Sequence, residues 1–279
     1  FGLPTWLSRF DFVLDEKGHI RMVEINADTP CFIVESFYAN GVAAAYHGRR
    51  DPNAGARAQL RDFLTHIHNQ LAAPIADLKR QMLTHRPFVF SCFDDYPEDL
   101  ATTRFLMEQM QEGVPHGDIR FLSFYEMEID ERGIPLADNI YTSALYRLHP
   151  MEILIDERTA DGEPLGAIFL DLYKEGKFAL MNPPEAILLQ NKSFMALVYA
   201  LARTEQFLTA EECALVRRYL VPSYFEEDFA ALMDGTYIRK EIWGREGKNV
   251  RLVEKQGDHA KTVHEKQPDN ADEIICRPS

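Results

Sequence analysis

Two short alternating segments near the start of the chain constrain the fold most, because they specify a β-hairpin with one polar face. Residues 8–14 alternate between apolar and polar side chains, and residues 20–25 do so again after a turn at residues 15–18. In a strand, side chains two positions apart point to the same face. The polar face of this hairpin therefore carries Arg9, Asp11, Glu24 and Asn26.

This polar face has the composition of a magnesium site. Two carboxylates and an amide oxygen on adjacent strands are oxygen ligands of the kind that Mg²⁺ prefers, with phosphate oxygens completing the shell. Arg9 stands beside them, and its planar guanidinium fits a nucleotide phosphate. The alternative is a solvated hairpin face whose charges pair across the strands. The pattern alone leaves both interpretations open.

The remaining periodicities predict a mixed α/β fold with a substantial antiparallel component. A buried strand at 88–92, a helix at 98–111 and a strand at 119–124 follow one another, which is the rhythm of a parallel strand pair. Strands at 236–242 and 249–253 flank a turn that contains two glycines. Helices are predicted at 57–83, 185–202 and 209–220, the last beginning with a capping box between Thr209 and Glu212.

The charge of the chain limits its partners. It contains 44 Asp and Glu residues against 30 Lys and Arg residues, a net charge of −14. A surface this acidic lacks the basic face that nucleic-acid binding needs, so no nucleic-acid partner is predicted. A nucleotide is still compatible with this charge, because it needs only a local group of cations and usually a metal ion.

The cysteines and the hydropathy predict a cytoplasmic protein with no membrane span. The four cysteines lack a C-x-x-C spacing, which argues against a disulfide framework and a structural zinc site and favours a reducing compartment. We expect Cys31 and Cys92 to be buried structural residues. No apolar run approaches the roughly 20 residues of a membrane span. Residues 1–6 show neither an initiator Met nor a secretory signal, so we expect the chain to be internal to a longer protein.

Two further segments place lysines where a phosphate could bind. Lys240 lies at the end of a strand that runs into Gly244-Arg245-Glu246-Gly247, and glycines let backbone N–H groups approach phosphate oxygens closely. Lys192 lies at the start of an apolar helix, where a cation opposes the helix dipole unless a phosphate accompanies it. Each segment has a plain alternative: glycines that only supply positive φ in a hairpin, and a lysine that is only a surface residue.

Taken together, these segments resemble the synthetase domain of glutathionylspermidine synthase and its acid–amine ligase relatives over about residues 1–255. The resemblance is carried by four motifs in the same order: Arg9-Phe10-Asp11 with Glu24-Ile25-Asn26-Ala27-Asp28-Thr29-Pro30, Ser91-Cys92-Phe93-Asp94-Asp95-Tyr96-Pro97-Glu98-Asp99, Gln190-Asn191-Lys192, and Arg239-Lys240 with Gly244-Arg245-Glu246-Gly247. It implies an ATP-grasp-like fold in which mixed and antiparallel sheets enclose a nucleotide cleft. It also implies an ATP- and Mg²⁺-dependent ligase that activates a carboxylate as an acyl phosphate, which an amine attacks to form an amide.

The resemblance implies a role for each matching residue. The metal ligands would be Asp11, Glu24 and Asn26. The ATP contacts would be Arg9, Phe10, Asp11, Lys192, Lys240 and Gly247. Arg245 would be catalytic and stabilise the charge on the transferring phosphoryl group, and the substrate-binding residues would be Thr29, Glu98 and Asp99. The partners would be a small-molecule or peptide carboxylic acid and an amine, and glutathione and a polyamine are the family's best-known pair.

Departures from the family pattern keep rival interpretations open. Glu241 stands where members have a proline, and residues 146–152 match the family's aromatic-rich segment only loosely. The family has a further strand and a nucleotide-contacting glutamine beyond the glycine segment; residues 273–276 stand near that place here, and no glutamine follows them. The chain can also be an inactive ATP-binding module that acts as a sensor or partner-binding protein, or an acidic scaffold. We expect a synthetase core at 1–255, incomplete at both ends, and the polar composition of 256–279 predicts a mobile tail or loop.

Overall fold

The computed structural model describes residues 5–71, 87–137, 140–159, 161–244, 247 and 249–265. They form two compact units: unit 1 comprises Phe1–Arg9 and Asn26–Ile187, and unit 2 comprises Phe10–Ile25 and Leu188–Ser279. The mixed α/β class with parallel and antiparallel sheets is confirmed. In the described ranges, no helix has the length and apolar character to cross a membrane.

The secondary structure of the described residues is as follows. The strands are β1 Arg9–Leu14, β2 Ile20–Asn26, β3 Phe88–Ser91, β4 Ile119–Phe121, β5 Ala144–Arg147, β6 Ala179–Met181, β7 Gly235–Arg239, β8 Arg251–Gln256 and β9 His259–Glu265. The α-helices are α1 Asn40–Tyr46, α2 Ala56–Leu71, α3 Pro97–Gly113, α4 Met151–Leu154, α5 Leu165–Lys174, α6 Ala186–Gln190, α7 Lys192–Thr204 and α8 Ala210–Tyr219.

Unit 1 is built on a parallel sheet of four strands in the order β4-β3-β5-β6. The predicted parallel pair is confirmed, since β3 pairs in parallel with β4. On its other edge β3 pairs in parallel with β5, which in turn pairs with β6. The strand order therefore reverses between β3 and β5. In open α/β sheets, the carboxyl ends of the strands at such a reversal form a crevice.

Both faces of this sheet are covered, which explains why β3 reads as a continuous apolar run. Phe88 and Phe90 pack with α2 and α3 in one buried cluster, whereas Val89 packs with α5 in a second cluster on the opposite face. All four residues of β3 are buried. Successive side chains of a strand point to opposite faces, so one short strand contributes to both cores.

Two of the predicted helices differ from the structure in their bounds. The helix predicted at 57–83 is described as α2 over Ala56–Leu71, with Leu60, Leu64 and Ile67 buried, and residues 72–83 lie outside the described ranges. The helix predicted at 185–202 is two helices, because the Asn191 side chain accepts a hydrogen bond from the Ser193 amide and starts a new helix there. The capping box that begins α8 is confirmed.

Unit 2 contains the hairpin of β1 and β2 and an antiparallel sheet of β7, β8 and β9. The prediction that residues 256–279 form a tail or loop is wrong for 259–265, which are β9. All seven residues of β9 are exposed, so its composition contains no apolar pattern from which a strand could be predicted. The available signal was the dipeptide Gly257-Asp258, a two-residue hairpin turn in which Gly257 adopts φ +53°.

Candidate functional site

A small cavity in unit 2 brings together side chains that are far apart in the sequence. It has a volume of about 60 Å³. Its lining consists of Glu24, Lys192, Lys240, Glu241, Gly244, Gly247 and Val250. Three of the predicted ATP contacts and one predicted metal ligand thus line one cavity. Each comes from a different local feature: β2, the first residue of α7, the residue after β7, and the glycine segment between β7 and β8.

Lys192 is the central cation of this cavity. Its Nζ donates hydrogen bonds to Glu24 Oε1 at 2.8 Å and to the Gly244 carbonyl at 2.6 Å. The ammonium and the carboxylate are both largely buried, with 19% and 25% of their side chains exposed. A lysine in the first turn of a helix is unfavourable for the helix dipole, and these two acceptors offset that cost.

The turn between β7 and β8 is held by its own hydrogen bonds. The Gly244 amide donates to the Glu241 carbonyl at 3.1 Å, and Asn249 Nδ2 donates to Glu241 Oε1 at 2.7 Å. Gly247 adopts φ +73°, a left-handed conformation that glycine reaches without strain. Arg245, the predicted catalytic residue, lies outside the described residues, as do Glu246 and Lys248.

The hairpin residues of the predicted metal site are divided between the two units. Asp11 and Glu24 belong to unit 2, whereas Arg9 and Asn26 belong to unit 1. The guanidinium of Arg9 lies 5.2 Å from the centre of the Phe32 ring. Along β1, Arg9 and Asp11 are half-buried. Their apolar neighbours are turned outward, with Phe10 50% exposed and Phe12 55% exposed.

The polar side chains of β1 therefore occupy its less exposed face, the reverse of an ordinary surface strand. No group of three or more His, Cys, Asp or Glu side chains within the described ranges is arranged to hold a metal ion. The predicted set contains only two such side chains besides Asn26, so its role as a metal site stays a prediction.

The predicted substrate-binding residues lie in unit 1. Thr29 is buried at 8% exposure. Glu98 and Asp99 lie in the first turn of α3, which follows β3 after residues 92–96. Burial raises the pKa of Asp99, and the neighbouring Glu98 carboxylate adds to this effect. Burial likewise raises the pKa of Tyr146 on β5, with further contributions from the charges of Cys31 and Asp99. Asp99 lies at the start of the helix that follows the carboxyl end of β3, and its role in substrate binding stays a prediction.

A buried ion pair in unit 1 was not predicted from the sequence. The guanidinium of Arg147, at the end of β5, binds the carboxylate of Asp28, and both side chains are fully buried. Asp28 Oδ2 also accepts a hydrogen bond from the Met151 amide at 2.8 Å. This pair holds Asp28 beside the carboxyl end of β5. The predicted substrate-binding residue Thr29 therefore follows a residue whose position is fixed by a buried ion pair.

Asn182 fixes the same segment from the other side. Its Nδ2 donates to the carbonyls of Leu7, Ala27 and Asp28 at 2.8 to 3.0 Å, and its Oδ1 accepts from the amides of Trp6 and Leu7. The side chain is thus saturated with hydrogen bonds in a buried position. No sequence pattern signalled it, because a single asparagine after a short strand is typical of a turn.

His149 lies at the carboxyl end of β5, between aromatic rings. Its ring centre lies 5.0 Å from that of Phe93 and 5.5 Å from that of Phe124. Burial lowers the pKa of His149, and the Glu157 carboxylate, 3.3 Å from Nε2, opposes this shift. The imidazole is therefore held mainly in its neutral form at neutral pH.

The expectation for the cysteines is confirmed for one residue and wrong for the other. Cys92 is buried directly after β3, and burial raises the pKa of its thiol. Cys31 is exposed. It lies in an irregular segment that follows Pro30, where no periodicity indicates which side chains face the core.

A comparison with protein families matches residues 3–276 to the family described as glutathionylspermidine synthase preATP-grasp. This match covers nearly the whole chain. The chain belongs to the glutathionylspermidine synthase preATP-grasp family. The recognition made from the four motifs is thereby confirmed.

A comparison with solved structures finds a glutathione synthetase-like effector from Globodera pallida, in its apo form. The two proteins share 13% sequence identity, with a TM-score of 0.48. The aligned region covers 76% of this chain and 48% of the effector. This chain therefore spans about half the length of that protein.

The match to the glutathionylspermidine synthase preATP-grasp family spans every residue assigned a role from the sequence, from Arg9 to Gly247. The individual roles stay predictions. Glu241, which the sequence marks only as a departure from the family pattern, lines the cavity beside Lys240. The pair of Asp28 and Arg147 had a partial signal, because Asp28 lies inside the hairpin motif and Arg147 interrupts an apolar strand.

Proposed function

We propose that this chain is the nucleotide-binding core of an ATP- and Mg²⁺-dependent ligase that joins a carboxylic acid to an amine, with an ATP-grasp-like fold. The observation that supports this most strongly is the convergence of Lys192, Lys240 and Glu24 around the turn that contains Gly247. Ammonium groups next to a carboxylate are what a metal–triphosphate complex requires, because the phosphates contact the cations and the metal contacts the carboxylate.

The residues present fit both proposed ligands. Asp11, Glu24 and Asn26 supply side-chain oxygens, the donor type that Mg²⁺ prefers. Lys192 lies beside Glu24 and supplies an ammonium group, whose N–H donors suit phosphate oxygens. In a chain with a net charge of −14, such a local group of cations gives ATP a place to bind.

ATP would supply a phosphoryl group that converts the acid into an acyl phosphate, and the amine would displace phosphate to leave an amide. This chemistry needs no protein nucleophile, so neither Cys31 nor Cys92 takes part. The chain's own residues would orient the substrates and neutralise the negative charge of the phosphates. Lys192 and Lys240 would hold the phosphates, and Arg245 would stabilise the charge that grows during transfer. Thr29, Glu98 and Asp99 would hold the acid, which we propose to be a glutathione-like peptide, with a polyamine-like amine as its partner.

The proposed activity is tested by ADP release from Mg-ATP in the full-length protein. A panel of thiol peptides and other carboxylic acids is combined with a panel of amines, and each acid and amine is also measured alone. We expect release that requires both members of one pair, together with an amide product. Release that depends on ATP alone would indicate an ATPase and contradict the proposal.

A second candidate is an inactive ATP-binding module that acts as a sensor or partner-binding protein. The observation that favours it is that Glu241 lines the cavity. Its negative charge would oppose the binding of phosphates. This candidate predicts binding of Mg-ATP without release of ADP for any pair of acid and amine. Absence of nucleotide binding would instead favour the acidic scaffold.

A further inference from the structure

Lys192 contacts the turn between β7 and β8 through its backbone amide and through its side-chain ammonium. Its backbone amide donates to the Ile242 carbonyl at 3.2 Å, and its ammonium donates to the Gly244 carbonyl at 2.6 Å. The same ammonium binds Glu24 Oε1 at 2.8 Å. One side chain therefore connects the carboxylate of β2 with the turn at residues 241–244, all within unit 2.

The ammonium occupies the side of Glu24 that a divalent cation would need. A carboxylate oxygen bound by Nζ at 2.8 Å cannot present the same lone pair to a metal ion. A divalent cation at that oxygen would also lie close enough to Nζ for strong repulsion in a largely buried site. Cation binding at Glu24 Oε1 therefore displaces the ammonium.

Displacement of the ammonium has a consequence for the turn, because the Gly244 carbonyl shares that ammonium with Glu24. When Nζ moves away from the metal, its bond to Gly244 is lost together with its bond to Glu24. The backbone bond from Lys192 to Ile242 is unaffected, so the turn would loosen at Gly244 while its attachment to α7 persists.

We propose that Lys192 is an internal competitor for Glu24 that couples cation binding at this carboxylate to the turn at residues 241–244. Cation binding expels the ammonium, which becomes available to a phosphate and releases the Gly244 carbonyl. The cation and the phosphate thus bind in concert, and either one alone binds less well. This inference rests on the proposed function in one respect, namely that Glu24 is a metal ligand.

The competition is tested with Mn²⁺ alone, by calorimetric titration of the full chain in the absence of nucleotide. Lys192→Met removes the competitor and keeps the length of the side chain. Mn²⁺ affinity should rise by about fivefold or more, because fivefold is the upper end of the range for exposed ion pairs and this pair is largely buried. Lys192→Gln, which keeps a donor without the charge, should give an intermediate increase.

Lys240→Met is the matched control. It removes the same charge from the same cavity, and the described residues show no hydrogen bond from Lys240 to Glu24. Its effect on Mn²⁺ affinity should be clearly smaller than that of Lys192→Met. Equal increases in the two variants would mean that only net charge matters and would overturn the competition. Absence of Mn²⁺ binding in all variants would overturn it too.

The coupling to the turn is tested by amide hydrogen exchange of peptides that contain residues 241–244. Mn²⁺ should accelerate exchange in the wild-type protein, whereas exchange in Lys192→Met should be fast with and without Mn²⁺. Slower or unchanged exchange in the wild-type protein on Mn²⁺ binding would contradict the coupling.

The two proposals can fail separately. If Lys192→Met binds Mn²⁺ more tightly but the wild-type protein does not bind Mg-ATP, the competition stands and the proposed function fails. If the wild-type protein binds Mg-ATP but Lys192→Met leaves Mn²⁺ affinity unchanged, the competition fails and the proposed function stands.

Discussion

At the scale of single residues, the ion pair between Asp28 and Arg147 predicts how unit 1 responds to the loss of one buried charge. Both side chains are fully buried, and Asp28 also accepts a hydrogen bond from the Met151 amide. Asp28→Ala would leave a buried guanidinium without its carboxylate, which typically costs about 3–5 kcal/mol. We expect denaturant unfolding of this variant to show a loss of this size.

Glu112 provides the matched comparison within the same unit. Its carboxylate lies 2.7 Å from the guanidinium of Arg61, but 45% of its side chain is exposed. Glu112→Ala should therefore cost no more than about 1 kcal/mol. Similar losses in Asp28→Ala and Glu112→Ala would show that burial of the ion pair does not determine its contribution.

The lowered pKa of His149 predicts how the stability of unit 1 depends on pH. Burial lowers its pKa below the ordinary value of 6.5, so the unfolded chain takes up a proton at a higher pH than the folded protein does. The associated stabilisation is complete above about pH 6.5 and is lost as the pH falls through the lower pKa of the folded state.

The free energy of unfolding should thus decrease as the pH falls below about 6.5, and His149→Gln should flatten this part of the profile. The measurement is a series of denaturant titrations across this pH range. His66→Gln, the same substitution at an exposed position of α2, is the control for the change of side chain. An unaltered slope in His149→Gln would refute the assignment.

Substitution of Glu241 by an uncharged residue is expected to raise the affinity for the nucleotide. Its carboxylate lines the cavity, and its Oε1 accepts a hydrogen bond from Asn249. Glu241→Gln keeps an acceptor for Asn249 and removes the charge that opposes phosphates. Because Glu241 is exposed, Mg-ATP affinity should rise by only about two- to fivefold. A loss of affinity in a titration would mean that the carboxylate helps to bind the nucleotide or its metal.

At the scale of elements, the glycine segment between β7 and β8 distinguishes the two candidate functions, a ligase and an inactive nucleotide-binding module. Arg245 lies in this segment, outside the described residues, and we propose that it contacts the transferring phosphoryl group. Arg245→Ala should then lower turnover by about 10²–10³ while changing Mg-ATP affinity much less. The measurement pairs ADP release with nucleotide binding. Loss of binding with normal turnover at saturating ATP would make Arg245 a binding residue only.

The elements also show what the sequence could predict. The parallel pairing of β3 with β4 was predictable because β3 is a continuous apolar run and α3 separates the two strands. The split between α6 and α7 was not, because Leu188, Leu189 and Phe194 continue the apolar character through the capping residue Asn191. β9 was missed because a strand with only exposed side chains has no hydrophobic period.

The residues that meet in the cavity were partly predictable, because they are charged residues at positions that packing does not require. Lys192 opposes a helix dipole and Glu24 lies on the polar face of a hairpin, and both features are visible in the sequence. The anchors Asp28, Arg147 and Asn182 were not recognised, because their partners lie more than a hundred residues away in the chain. Long-range pairing of this kind follows from the fold rather than from local pattern.

At the scale of the whole molecule, each unit contains one part of the proposed chemistry. Unit 2 contains the cavity with its lysines and glutamates, and unit 1 contains Thr29, Glu98 and Asp99 at the carboxyl end of its parallel sheet. Both units belong to one family match over residues 3–276. We therefore propose that the cavity of unit 2 contacts the nucleotide and that unit 1 binds the acid.

We propose that the cavity of unit 2 binds Mg-ATP. A calorimetric titration of Mg-ATP into the wild-type protein and into Lys240→Ala tests this directly. A charge-assisted hydrogen bond contributes roughly 1.5–3 kcal/mol, so the Kd should rise by about tenfold or more in the variant. Lys177→Ala, a surface lysine of unit 1, is the control and should leave the Kd unchanged. Equal affinity in the wild-type protein and Lys240→Ala would contradict the account.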